Sequence, residues 1–401
     1  MPLAEKTIQV VEATAPAVAA VGPQLAASFY KRMFTNNPEL KDVFIMAHQR
    51  NLAQPTALFN SVVAYATHLR DLGALGPAVE KIAHKHAAFN IKPAQYQIVG
   101  YNLLKTIEAE LNPGQDVLDE WGKAYEQLAQ IFITREEQIY AEVESSPGGW
   151  RPTRAFRVAD KHRESDAITR FKLVPADGKP IAAHEPGRYL SIFVRHPSMP
   201  YQEIRQYSIV SPPSHEYYEV AIKRHDQGQV SRYMTDIVNV GDELQLAPPY
   251  GDFFLDLPKD TTTPIALISG GVGLTPMLSM LRSLAVTKAT NPLYWVHAAH
   301  SKRVRAFADE VKETKAATLP QLKIYNWLSE VTPADKQGVD YDFQGHIDIS
   351  KIPDFCANPA TQYYFVGPDG FMKNVEKQLQ SQNVGDDRIH YECFGPFNPI
   401  K

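Results

Sequence analysis

Cysteine is scarce in this chain. Its 401 residues include only Cys356 and Cys393, too few for a disulfide framework, and that scarcity suits a reducing compartment. There is no run of Lys or Arg, and a formal net charge of -4 leaves no electrostatic footprint for nucleic acid or an anionic membrane surface. No uninterrupted apolar stretch is long enough to span a bilayer. The Ala/Val-rich stretch from Ala13 to Val21 follows Glu5 and Glu12, lacks a cationic lead and is broken by Pro16, so it does not read as a signal peptide. Internal repeats and low-complexity tracts are missing too. What remains is the expectation of a cytoplasmic, monomeric globular protein with no stable membrane insertion. The 44% hydrophobic and 21% charged residues are ordinary for that class.

A chain this long exceeds one core and predicts two or three domains. Residues 1–143 carry helical periodicity interrupted by Gly22-Pro23, Asn36-Asn37-Pro38, Leu75-Gly76-Pro77, Lys92-Pro93 and Asn112-Pro113-Gly114, which predicts an all-α unit of six or seven helices. Residues 144–150, with Ser145-Ser146-Pro147-Gly148-Gly149, read as a linker. Residues 151–260 alternate with period two, as in Tyr189 to Val194 and Tyr217 to Ile222, and predict a small antiparallel barrel. Residues 261–401 alternate apolar runs (Ile265 to Ile268, Leu293 to Val296, Tyr363 to Val366) with helical stretches, the pattern of an α/β parallel sheet.

In the helical part, Val79, Ile82, His86 and Phe89 share one helix face. His84 lies roughly 200° around from His86, so the spacing points His86 inward and His84 outward. Alone, an inward histidine is more often a satisfied core residue than a ligand. Trp121, Tyr125, Leu128, Phe132, Glu136 and Ile139 form a second stripe, and a carboxylate there needs a charged or hydrogen-bonding partner. A metal-bound imidazole donating its other N–H is one solution; an ion pair with a distant Arg or Lys is the other. Tyr96 opens a third stripe after Pro93, either joining that network or packing at the surface.

Further along, Arg205-Gln206-Tyr207-Ser208 follows a strand pattern and fits the flavin motif of ferredoxin-reductase-type barrels, supported by Pro186-Gly187-Arg188-Tyr189 and Gly228-Gln229-Val230-Ser231. Arg205 suits the FAD pyrophosphate, Tyr207 can stack on the isoalloxazine and Ser208 can bond it. The strand from Ile265 runs into Gly270-Gly271-Val272-Gly273-Leu274, with Thr275 read as N-cap and Pro276 as first helical residue. Such a turn lets backbone approach a pyrophosphate; the bland alternative is a tight βα turn. Phe365-Val366-Gly367-Pro368 and Cys393-Phe394-Gly395-Pro396 complete the set. Cys393 reads as a packed or nicotinamide-adjacent thiol, because no partner base is evident. Ser301-Lys302-Arg303 after the second strand suits an adenosine 2′-phosphate, so NADPH is expected to serve at least as well as NADH; a solvated basic loop is the rival.

Taken together, these motifs, with Ser28 to Phe34, Asn51 to Phe59, Lys85 to Phe89 and Trp121 to Tyr125, resemble bacterial flavohemoglobins over essentially the whole chain. The resemblance implies a globin domain, an FAD barrel and an NAD(P)-binding domain, with heme b, FAD and NAD(P)H as cofactors. It implies His86 as the proximal heme ligand with Glu136 and Tyr96 behind it. It also implies Tyr30 and Gln54 as distal donors toward O₂, Leu58 in that pocket, and Lys85 with Glu392 tuning the redox potentials. Pro55 biases Gln54 away from helical angles. The activity implied is nitric oxide dioxygenation, with NO and O₂ as substrates. The rivals are an oxygen-binding or redox-sensing globin, told apart by turnover, and a flavin reductase without heme, told apart by its spectrum.

Overall fold

The computed structural model describes residues 2–46, 49 and 53–395. Among the described residues the α-helices that come first are α1 (Glu5–Val21), α2 (Pro23–Asn36), α3 (Ala53–Thr67), α4 (Gly76–Ala88), α5 (Pro93–Leu111) and α6 (Gln115–Ser145). The breakers set their ends. Pro23 and Pro93 occupy first-turn positions where a missing N–H costs nothing, and Asn112 ends α5 in the left-handed region at φ 44°. The apolar stripes meet in a core around Val11, Phe29, Met33, Leu103, Ile107 and Trp121. Among the described residues no single helix is long and apolar enough to cross a membrane.

The second unit is a six-stranded antiparallel sheet of β1 (Arg154–Arg163), β2 (Ile168–Pro175), β3 (Tyr189–Val194), β4 (Glu203–Ser208), β5 (Tyr218–Lys223) and β6 (Glu243–Leu246). The order is β4-β3-β6-β1-β2-β5, and an Ile209–Val220 bridge joins the two edges into a barrel. Phe156, Phe171, Leu190, Ile192 and Tyr218 fill it. A one-turn helix, α7 (Gln229–Arg232), follows β5.

The third unit is a parallel sheet of β7 (Ile265–Gly270), β8 (Leu293–Ala299), β9 (Leu322–Leu328), β10 (Phe343–Gln344), β11 (Gln362–Val366) and β12 (Ile389–Tyr391). Helices α8 (Leu274–Val286), α9 (Ala308–Ala317) and α10 (Asp369–Ser381) accompany it. The order β10-β9-β8-β7-β11-β12 reverses between β7 and β11, the switch point at which such sheets bind ligands. β7 is buried at every position, as a strand covered on both faces must be.

The helical unit and the barrel share a core. Ala83, Ala87, Tyr96, Phe132, Ile139 and Tyr140 pack with Tyr189, Ala247 and Tyr250. The expected linker is tighter than its composition implied. α6 runs through Ser145, and Arg151 lies 3.9 Å over the Tyr140 ring while bonding Glu137 at 3.0 Å.

Candidate active site

A continuous cavity of ≈ 650 Å³ lies between the helices and the barrel. His86, Tyr30, Gln54 and Leu58 line its helical side; Tyr189, the Arg205 to Ser208 strand and the Gly228 to Ser231 loop line its barrel side. Val272, Thr275 and the Glu392 to Gly395 segment reach it from the parallel-sheet unit. Gly270, Gly271, Gly273 and Leu274 form the turn behind that wall. A Cβ on Gly273 would sit 2.2 Å from the Val366 carbonyl oxygen, so only glycine lets β7 turn this close to the end of β11.

The proximal network draws on three helices. His86 is in the last turn of α4; its Nδ1 lies 2.7 Å from the Tyr96 hydroxyl of α5 and 2.8 Å from Glu136 Oε1 of α6. Tyr96 also donates to Glu136, which is buried. Burial first, and the Glu136 charge second, push the Tyr96 phenol well above its ordinary value, so it remains a donor. The carboxylate thus receives the donors that its burial demands, which fixes Nδ1 as protonated and leaves Nε2 for a metal. Among the described residues no group of three or more His, Cys, Asp or Glu could hold a bare ion. One imidazole backed by a buried carboxylate and facing an apolar cavity fits iron that brings a macrocycle of its own, as heme does.

Across the cavity, Tyr30 is boxed by aromatic rings, with Phe34 and Phe44 each 5.8 Å away between centroids. Burial pushes its phenol up, and Gln49 hydrogen-bonds it. Gln49 Nε2 donates to Gln54 Oε1 at 2.9 Å. Gln54 is helical despite Pro55: both lie within α3.

On the barrel side, Gln206 Nε2 is buried without a partner, a donor left for the edge of a flavin ring. Burial pushes the Tyr207 phenol up. Arg205 is held by Glu203 at 2.7 Å and by the Ile204 carbonyl at 2.9 Å, so an FAD phosphate would share it with Glu203. The Ser231 hydroxyl accepts from the His225 N–H at 3.1 Å, which shapes the loop beside Gly228. These groups fit FAD.

Family models match in the same order: Globin at residues 27–132, Oxidoreductase FAD-binding domain at 155–255 and Oxidoreductase NAD-binding domain at 267–377. Flavohemoprotein-1 of Giardia intestinalis (strain P15) is 48% identical, with 99% of each chain aligned. This chain belongs to the flavohemoprotein family. The crystal structure of a flavohemoglobin from Malassezia yamatoensis, with bound FAD and heme, matches with TM-score 0.87 at 25% identity over 98% of this chain and 100% of that one. The flavohem-like FAD/NAD-binding domain of nitric oxide dioxygenase from Vibrio cholerae matches with TM-score 0.55 at 35% identity over 61% of this chain and 99% of that one. This relative comes from Giardia, so it is the wider family, not its bacterial branch, that the similarity establishes.

The structure corrects some of these readings in this flavohemoprotein and fills in the surroundings of others. His84 is not solvent-facing: it is buried against the barrel, a surface that helical periodicity cannot distinguish from water. Burial pushes its imidazole down. Thr275 is not an N-cap; α8 starts one residue earlier, after a 3-10 turn at Gly271–Gly273, and the Thr275 hydroxyl donates to the Val272 carbonyl at 3.0 Å. Lys85 Nζ donates to the Gly395 carbonyl at 2.5 Å, while the ion pair to Glu392 comes from Lys81, one turn earlier, at 4.0 Å. Burial pushes the Lys85 ammonium down and the Glu392 carboxyl up. Lys302 and Arg303 carry acidic partners, Asp340 at 2.8 Å and Asp166 at 2.6 Å, so neither is an uncompensated cation awaiting a phosphate. Burial pushes the Cys393 thiol up, against nucleophilic use. Phe394 is half exposed at the cavity rim, and Pro396 lies outside the described residues. Gln49 and Lys81 are the residues around the site that sequence reading missed, whereas His84 is one that it names but turns toward solvent. Only Lys81, four before Lys85 on the same helix, carried a usable signal.

Proposed function

We propose that this chain is an NAD(P)H-dependent nitric oxide dioxygenase converting NO and O₂ to nitrate, with electrons delivered through FAD to heme b. The activity named for the Vibrio cholerae relative and the cofactors named for the Malassezia yamatoensis one support this. The observation that carries it is the single cavity holding both the His86–Tyr96–Glu136 network and the Gln206–Tyr207 wall. When bound, heme supplies the O₂ chemistry, and FAD splits the nicotinamide's hydride into single electrons. Each NO oxidised needs one electron beyond O₂, so one hydride serves two turnovers.

The protein's residues do the positioning. Glu136 and Tyr96 hold the Nδ1 proton of His86 and raise the basicity of Nε2. Tyr30 offers a neutral O–H across the cavity, and its aromatic box excludes water from the reacting space. Gln206 and Tyr207 orient the flavin, and Val272 and Thr275 mark where nicotinamide arrives. We further propose that Lys85 and Glu392 tune the potentials, and that the protein acts as a cytoplasmic monomer. Both thiols are free, and one chain holds the whole electron route. The test is aerobic NO removal with NAD(P)H, followed by an NO electrode with nitrate as product. Loss of activity on His86 replacement, and impairment in Tyr30→Phe, are expected; undiminished turnover in both would refute the assignment.

A further inference from the structure

His84 sits two residues from His86, on the face of α4 turned to the barrel, and is 7% exposed. Its ring is fixed from the helical side. Nε2 lies 3.1 Å from Glu80 Oε1, and Glu80 is gripped by both arms of Arg135 at 2.7 Å each. With the Nε2 proton directed at Glu80, the Nδ1 lone pair faces the barrel, where the Gly251 N–H donates to it at 3.3 Å. Gly251 adopts φ +125°, and a Cβ there would stand 3.0 Å from the Tyr189 ring. Its backbone therefore sits close against Tyr189, which helps line the barrel side of the cavity. Lys81 and Asp252 meet across the same seam at 3.9 Å.

We propose that His84 is a positioning residue that sets the distance between the His86 helix and the flavin wall, and so governs the rate at which electrons cross. The linkage is continuous: Arg135 and Glu80 orient His84, His84 seats Gly251, and Gly251 seats Tyr189. It rests on the electron route proposed above. Removing the acceptor leaves a buried backbone N–H unpaired at the seam, which loosens the docking without deleting any group that lines the cavity.

The test compares His84→Leu, which removes the acceptor, with His84→Asn, whose amide oxygen replaces Nδ1. Full-length protein loaded with heme and FAD is mixed anaerobically with NADH, and flavin and heme reduction are followed separately. Flavin reduction should stay within about twofold of wild type in both. Heme reduction should slow roughly tenfold in His84→Leu and recover to within about threefold in His84→Asn. Independently of any cofactor, hydrogen exchange at Gly251 should quicken roughly tenfold in His84→Leu only. Unchanged heme reduction in His84→Leu, or failure of His84→Asn to restore it, overturns the proposal alone. A wild-type heme that takes no electrons from NADH overturns the electron route and the proposal with it.

Discussion

On the proximal side of the cavity, a buried anion is shared by two donors from separate helices; on the distal side, a phenol in an aromatic box meets a relay of two neutral amides. The first arrangement changes the electronics of whatever Nε2 binds, because a full charge in a low dielectric acts strongly on its neighbour. The second holds and shields without adding charge. On the function proposed above, tuning and holding are separated across a single cavity, and each side can be perturbed without the other.

The largest expected effect is on His86→Ala: with the ligand gone, Soret absorbance of the purified protein falls at least about tenfold while the flavin bands remain. Next, Glu136→Gln keeps the shape and removes the charge. Its heme potential should rise, and NO removal should fall roughly 10- to 100-fold. Tyr30→Phe should leave the potential unchanged and lower O₂ affinity roughly tenfold, the worth of one buried hydrogen bond. Spectroelectrochemistry and oxygen titration separate the two; equal potential shifts in both variants would break the comparison. Gln49→Leu should lower O₂ affinity only about threefold, since it acts through Tyr30 and Gln54.

A smaller effect lies away from both sides. Freeing Lys302 by Asp340→Asn should raise the NADPH-to-NADH ratio of kcat/KM about two- to threefold, as expected for an exposed ion pair. At neutral pH the smallest effect is none. The phenols of Tyr30 and Tyr96 are both raised, so the folded state keeps protons that the unfolded state loses above pH 10. Stability is untouched below that pH and falls above it, by about 1.4 kcal/mol per pH unit per phenol. Denaturant midpoints from pH 8 to 11, with Tyr30→Phe flattening the alkaline slope, check this.

Much of this was legible in the chain. His86, Tyr96 and Glu136 sit on apolar stripes, and a polar group on such a stripe announces a partner even when the partner is unnamed. Domain order followed from the change of periodicity near residue 150. What escaped were contacts between units. A period of 3.6 placed His84 opposite His86 correctly, but a polar face looks the same whether water or a second domain covers it. Lys302 and Arg303 read as free cations because Asp340 and Asp166 are distant in sequence. Gln49 was invisible because a lone amide has neither period nor charge.

The hydrogen bond from Lys85 to Gly395 joins residues 310 positions apart. On a ribosome the helices around His86, the last of which ends at Ser145, are complete long before that partner emerges, roughly ten to fifty seconds later at ordinary synthesis speeds. During that interval the nascent polypeptide has the heme cavity's helical wall but not the route by which reducing equivalents arrive. Translation therefore orders the two parts, the helical wall of the cavity first and the Glu392 to Gly395 segment that closes it last.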